Sequence, residues 1–429
     1  MPTVDPFRAL CYAPALRRAV LDRLIAPPYD VIPEEQRERL VARHPSNIVH
    51  LDLPRSAPGE DPYAASAARL GRLVREGTLR REGRPAFYVL EQSYRAPSGE
   101  ERSRRGFFGR LRLEPFEAGV VIPHERTLDR PRADRQRLLE ATRTHLSAVF
   151  LLHPDPGGEV ARELEAAMEG EAFGVARDDE GTVNRVVRLD DEHATTRLAA
   201  RLSGSWALIA DGHHRYESAL AYRDARRAAG LRDAEHVLGF FCSLEDRGLS
   251  IFPIHRIVHS LPRFDVASFR ARLEAFFVLT PVHSEEALRA AVKERSPRPG
   301  VFGLAFPGDD RFLVMEWREG TGLDRPELAA IPEPLRRLDV ILLHRLVLEG
   351  TLRITQEAQA GQTNLDYVKD DRDLFARLRS ARAQFGILLN PTRIEQVIDV
   401  TRRGLRLPQK STYFYPKVPS GLVLDPLDP

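Results

Sequence analysis

The chain has 429 residues, more than one hydrophobic core usually serves, which implies two or three domains. Charged residues are 29% of it and nearly cancel to +2, which excludes a dedicated nucleic-acid binder and a polybasic membrane anchor. Two cysteines, Cys11 and Cys242, without metal-ligand spacing exclude a disulfide framework, and the lack of an apolar run of spanning length or of a signal core in Met1 to Leu10 predicts a cytoplasmic protein.

In chain order, residues 1–115 read as an N-terminal α+β domain. Phe7 to Tyr12 is predicted as a strand. Ala26-Pro27-Pro28-Tyr29-Asp30-Val31-Ile32 is a proline-stiffened turn. Pro33 opens a helix through Leu40, with Glu34 and Glu35 suited to its first turn. Ile48 to Leu53 alternates as a strand, and Tyr63 to Glu76 has helical periodicity. Phe87 to Tyr94 and Gly106 to Leu113 form a hairpin around Pro97-Ser98-Gly99.

Residues 116–262 read as a central domain. Its strands are Val120 to Ile122, Ala148 to Leu152, Trp206 to Ala210, Val237 to Leu244 and Leu249 to Pro253. Its helices are Asp134 to Thr144, Glu192 to Leu202 and about Tyr216 to Ala229, and Pro154 to Gly181 has no clear pattern. Residues 263–429 form a C-terminal α+β domain with strands at Phe276 to Pro281, Val301 to Phe306 and Phe312 to Trp317, and helices at 333–349 and 372–384. The fold class is α+β, with mixed sheets and flanking helices.

The chemistry concentrates where an apolar strand ends at Asp211-Gly212 and His213-His214-Arg215 lead into a helix. Gly212 permits a tight turn and close approach of a ligand to the backbone. Unpaired N–H groups at a helix start attract anions. His213, His214 and Arg215 add donors, and arginine can grip phosphate with two parallel hydrogen bonds. The plain alternative is that the histidines only cap the helix.

These residues, with Ala219-Leu220, resemble the signature of the ParB/sulfiredoxin superfamily, whose members bind nucleotide phosphates at such a turn. The free L-serine kinases of that superfamily use Asp-Gly-His-Thr-Arg, with threonine where His214 stands here. Over nearly its full length the chain also resembles the bacterial and archaeal domain-of-unknown-function family "ten-fifteen". That resemblance is carried by Ala26 to Ile32, Pro123-His124-Glu125-Arg126-Thr127, the Asp211 turn, Pro253-Ile254-His255-Arg256 and Gln409 to Lys417. It implies a central ParB/sulfiredoxin-like domain, with residues 153–200 as an insertion.

In the serine kinases a glutamate in a Pro-His-Glu context is the catalytic base, which implies that role for Glu125, beside His124 and Asp211. Gly212, His213, His214, Arg215 and Lys410 would then hold the phosphates of ATP or ADP, with Mg²⁺ bridging them. The alternative for Glu125 is a helix cap or an ion pair with Arg126 or Arg130.

Tyr29, Asp30, His255 and Arg256 are the candidates for substrate binding: Asp30 could ligate a metal or receive a substrate amine, or equally cap the Pro33 helix, and His255-Arg256 could line the same pocket as Asp211 or form a surface turn. Lys410 and Lys417 stand out because the chain has four lysines among 64 basic residues, and a lysine supplies a point charge that suits phosphate. His145 and His344 lie on apolar helices as packed histidines.

The leading function is a nucleotide-dependent kinase acting on a small hydroxyl compound, free L-serine first. Its competitors are a metal-dependent phosphatase or hydrolase using Asp211, His213, His214, His124 and His255, and a non-catalytic nucleotide-binding regulator. No membrane and no nucleic-acid partner is expected.

Overall fold

Phe87–Arg95 and Glu101–Arg112 pair as an antiparallel ribbon, which sets Phe108 opposite Tyr88 and Phe107 opposite Val89. The computed structural model describes residues 2–97, 99–125, 129–308, 312–380 and 382–427, with backbone only at 129, 130 and 360. Ser98 of the expected hairpin turn and Arg126-Thr127 of the Pro-His-Glu motif lie outside the described residues, as does the side chain of Arg130.

Around that ribbon, nine strands form one mixed sheet among the described residues. In chain order they are β1 (Val4–Asp5), β2 (Phe87–Arg95), β3 (Glu101–Arg112), β4 (Val121–Pro123), β5 (Val149–His153), β6 (Ala172–Arg177), β7 (Val183–Leu189), β8 (Ala207–Asp211) and β9 (His236–Ser243). Across the sheet the order is β4-β8-β5-β9-β3-β2-β7-β6, with β1 beside β3. The β4–β8 and β5–β9 pairs are parallel.

The helices of this unit include α1 (Pro14–Leu24), α2 (Glu34–Arg43), α3 (Val49–Asp52), α4 (Pro62–Arg75), α5 (Asp129–Thr142), α6 (Glu159–Ala167), α7 (Glu192–Leu202) and α8 (His213–Ala228). Phe87, Phe107, Leu151, Ile209, Tyr216 and Phe241 share its core, where the Phe107 and Phe241 rings stack at 5.2 Å. Mixed sheets with flanking helices are the class the sequence predicts.

Several elements differ from expectation for identifiable reasons. Ile48 to Leu53 is not a strand; α3 forms there because Asn47 accepts the Val49 N–H at 2.9 Å and bonds the Arg23 and Ile25 carbonyls through its amide. Its buried Val49 and Leu51 imitate a period of two. The unpatterned stretch after Pro154 holds α6 and β6, and with β7 it supplies an edge of the same sheet.

The chain forms two compact units, Met1–Ser250 with Pro416–Pro429, and Ile251–Tyr415. The expected boundary near 115 instead runs through a sheet, since β3 pairs with β9. The boundary expected at 262 falls at 250, and the final segment rejoins the first unit. There Leu10 and Leu424 exchange backbone hydrogen bonds, as do Ala26 and Ser420. Asp425 accepts from Arg110 at 2.7 Å and is buried.

The second unit holds an antiparallel sheet of six strands among the described residues, β10 (His255–Val258), β11 (Phe277–Val282), β12 (Val301–Ala305), β13 (Phe312–Trp317), β14 (Leu365–Val368) and β15 (Phe385–Leu389), in the order β11-β13-β12-β15-β10-β14. The helix expected at 333–349 is broken: Asp339–Leu342 is α-helical and Leu343–Thr351 is a π-helix. The helix expected at 372–384 stops at Arg379, and β15 follows.

Candidate functional site

β8 is buried and apolar until its last residue, Asp211, which is half-buried. Gly212 then turns the chain at φ +92° and α8 begins at His213, a turn earlier than the sequence suggests. A side chain at 212 would be strained at this φ, and its Cβ would stand 2.9 Å from Cζ and Nε of Arg215. The Arg215 guanidinium therefore packs on the one residue that leaves room for it.

Asp211 carries two cations. Arg215 Nη2 donates to its Oδ2 at 2.5 Å, and Lys417 Nζ donates to Oδ1 at 2.5 Å. Burial opposes ionisation of Asp211, but Lys417 and Arg215 hold its carboxyl well below the usual carboxylate range. Arg215 Nη1 also donates to the Ala148 carbonyl, and Nε is buried. The guanidinium expected to grip phosphate with two hydrogen bonds is thus committed on both Nη atoms to its own fold. Burial works against its charge too, and the carboxylates of Asp211, Asp30 and Asp52 keep it protonated.

The parallel β4–β8 pairing sets Pro123 opposite Ile209 and carries His124 and Glu125 alongside the bend. Nε2 of His213 accepts the backbone N–H of His124 at 3.2 Å and of Glu125 at 3.4 Å. A nitrogen accepting N–H bonds carries no proton, so His213 is the neutral Nδ1–H tautomer. Burial, then the nearby His124, pushes its pKa down to about 3. The sequence placed His213 among the phosphate donors; Nε2 instead holds the Pro-His-Glu segment in place.

His124 is buried, its ring 4.7 Å from that of His213, and its Nδ1 donates to the Ile209 carbonyl at 2.6 Å. That leaves Nε2 facing Glu125 Oε1 at 3.6 Å.

Tyr29 and Asp30 come to the same site. His214 is half-buried; burial lowers its pKa, while the charges of Asp30, Glu217 and Glu125 act to raise it. The Tyr29 ring lies under the Arg135 guanidinium at 3.9 Å, and burial and then Asp30 push its hydroxyl pKa up. Arg135 Nη1 bonds the carbonyl of Asp52 at 2.7 Å and its carboxylate at 3.1 Å, and Ser420 donates to the other carboxylate oxygen at 2.9 Å. Neither Asp52 nor Arg135 had a sequence signal beyond its charge.

Asp30, Glu125, Asp211, Gly212 and His214 are exposed or half-buried, so the bend is not sealed. The start of α8 has no side-chain cap, which leaves its first N–H groups suited to an anion.

Three other sequence candidates, His255, Arg256 and Lys410, belong to the second unit. His255 Nδ1 accepts the Leu389 N–H at 3.2 Å, and burial lowers its pKa to about 4. Arg256 is 1% exposed, not in a surface turn; it bonds the Ile254 and Lys410 carbonyls and His344, under the Tyr367 ring. Lys410 contributes that carbonyl from a positive φ of 57°. His145 is buried on the His236 carbonyl at 3.1 Å, a packed histidine as expected, though in a short strand and not a helix.

Among the described residues no three His, Cys, Asp or Glu side chains gather in a way that could hold a metal ion, so the expected hydrolase ligands do not form a cluster. No helix of the described residues is long and apolar enough to cross a membrane.

Fold and site together define an α+β protein with an ion-paired strand–turn–helix bend beside a segment of buried His124 and half-buried Glu125. The chain belongs to the family described as "Protein of unknown function (DUF1015)", whose model matches residues 4–341. No curated protein matches it in sequence.

Among solved structures it is similar to a conserved hypothetical protein from Pyrococcus furiosus, at 15% identity and TM-score 0.36, covering 75% of this chain and 95% of that one. A mutant free serine kinase in complex with AMP shares 12% identity at TM-score 0.36, over 72% of this chain and 87% of that one. SbnI from Staphylococcus aureus shares 11% at TM-score 0.35, over 75% and 87%. At these identities and TM-scores the likenesses assign nothing to this chain.

Proposed function

We propose that this protein transfers a phosphoryl group from ATP or ADP to the hydroxyl of a small metabolite, with free L-serine the first substrate to test. The observation that carries the reading is the pair of hydrogen bonds that the His124 and Glu125 backbone N–H groups donate to His213 Nε2, which ties the backbone bearing the Glu125 carboxylate to the first turn of α8.

A serine hydroxyl is a weak nucleophile at neutral pH. In this reading the Glu125 carboxylate takes its proton as the oxygen bonds to the terminal phosphorus, and the bond from phosphorus to the departing nucleotide oxygen breaks. In the same reading the N–H groups after Gly212 orient the phosphates, the His124 ring faces the Glu125 carboxylate at 3.6 Å, and Asp30 receives the substrate's amine. Mg²⁺, carried on the phosphates, would neutralise charge there, with Glu125 or Asp30 as the carboxylate within reach.

The test is incubation of the purified chain with Mg²⁺, L-serine and either ATP or ADP, followed by mass spectrometry for O-phosphoserine. Glu125→Gln is expected to abolish the product while nucleotide affinity by calorimetry stays within about twofold. Absence of product with either donor, together with absence of nucleotide binding, refutes the reading.

A further inference from the structure

The two cations on Asp211 are held differently. Arg215 is fixed by the Ala148 carbonyl, by Asp211 and by its packing on Gly212, so moving it undoes the turn. Lys417 arrives from a segment 206 residues away in sequence, on a flexible stem, and its side chain is 13% exposed.

The backbone that delivers Lys417 is anchored on both sides. The Pro416 carbonyl accepts from Arg104 Nη2 at 2.7 Å and the Lys417 carbonyl from Gln92 Nε2 at 3.0 Å. Ser420 is held by Asp52 at 2.9 Å and by backbone bonds to Ala26. The main chain is therefore fixed while rotation of the lysine stem moves Nζ from one oxygen to another nearby.

We propose that Lys417 is the phosphate-binding lysine of this site. It exchanges Asp211 Oδ1 for a non-bridging phosphate oxygen of the bound nucleotide, while Arg215 stays on Asp211. The inference rests on the nucleotide-binding reading above. It makes Asp211 the holder of the lysine, not a group that touches the reacting atoms. The new bond to phosphate is also charge-assisted and offsets the loss of one cation at Asp211, where Arg215 remains.

The test titrates the full chain calorimetrically with ADP and, separately, with adenosine, both in Mg²⁺. Lys417→Gln is expected to weaken ADP by about tenfold or more and to leave adenosine within about twofold. Equal ADP affinities in wild type and variant overturn the inference and leave the kinase reading standing. Equal losses for ADP and adenosine, with a lower Tm, assign Lys417 a structural role and also overturn it. A wild type that binds neither refutes both.

If Lys417→Gln does not fold, wild type labelled at lysine ¹⁵Nζ decides the matter. Only four lysines are present, and Lys417→Arg assigns the signal. The Lys417 resonance is expected to move with ADP and not with adenosine; a static signal with ADP bound overturns the proposal.

Discussion

Acid is expected to loosen the candidate site through one ring. The lone pair of His213 Nε2 is occupied by the His124 and Glu125 amides, so protonation must break both bonds. Burial, then His124, lowers its pKa from 6.5 to about 3. Below about pH 6.5 the unfolded chain protonates this ring while the folded chain does not, so the unfolded state binds the extra proton. Stability is thus fully present above that pH. It falls by about 1.4 kcal/mol per pH unit on descent, until the folded ring protonates near pH 3. Reaching about pH 5 should cost roughly 2 kcal/mol through His213 alone.

Other buried histidines shift in the same direction, His255 among them, so the measurement is a difference between two proteins. His213→Gln keeps an oxygen that can accept the two amides but cannot titrate. Trp206 and Trp317 lie in different units, so urea unfolding followed by Trp206 fluorescence in a Trp317→Phe background reports the first unit. Its pH slope between about 5 and 6 is expected to be shallower by about 1.2 kcal/mol per pH unit in the glutamine variant. Nitrogen-detected imidazole NMR should show the neutral Nδ1–H form down to about pH 4. Identical slopes, or a His213 ring that titrates near its ordinary value, would refute the argument.

Gly212→Ala should cost about 3 kcal/mol in the same unfolding assay, from backbone strain at φ +92° and displacement of Arg215 from Asp211. A change under about 0.5 kcal/mol would mean that the turn tolerates a side chain. Arg215→Ala should cost about 3 kcal/mol or more, because the buried Ala148 carbonyl and Asp211 both lose a donor, and nucleotide binding should weaken with it. A variant as stable as wild type would count against the fixed role of this guanidinium.

The bend itself was legible because an apolar run stops abruptly at Asp211-Gly212. The start of α8 was misjudged by a turn because His213, His214 and Arg215 carry no apolar periodicity. That Glu125 lies beside this turn follows from the parallel pairing of β4 with β8, a non-local event that no local pattern encodes; the family resemblance supplied it instead.

Residue type also left the roles of individual atoms open. A histidine in a turn is equally a donor or an acceptor, and only the neighbouring amides decide it for His213. The scarcity of lysine did mark Lys410 and Lys417, yet Lys410 serves through its carbonyl and Lys417 through its charge. Arg256 resembled a site residue because an arginine with three hydrogen-bond acceptors around it looks the same in sequence whether it awaits a ligand or fills a core.

The return of Pro416–Pro429 to the first unit has a consequence for biosynthesis. A ribosome completes the whole second unit before it makes Lys417. Until then the nascent first unit has Arg215 but no second cation for Asp211, and Arg110 lacks its Asp425 carboxylate. Translation order therefore makes the ion-paired centre one of the last features to assemble.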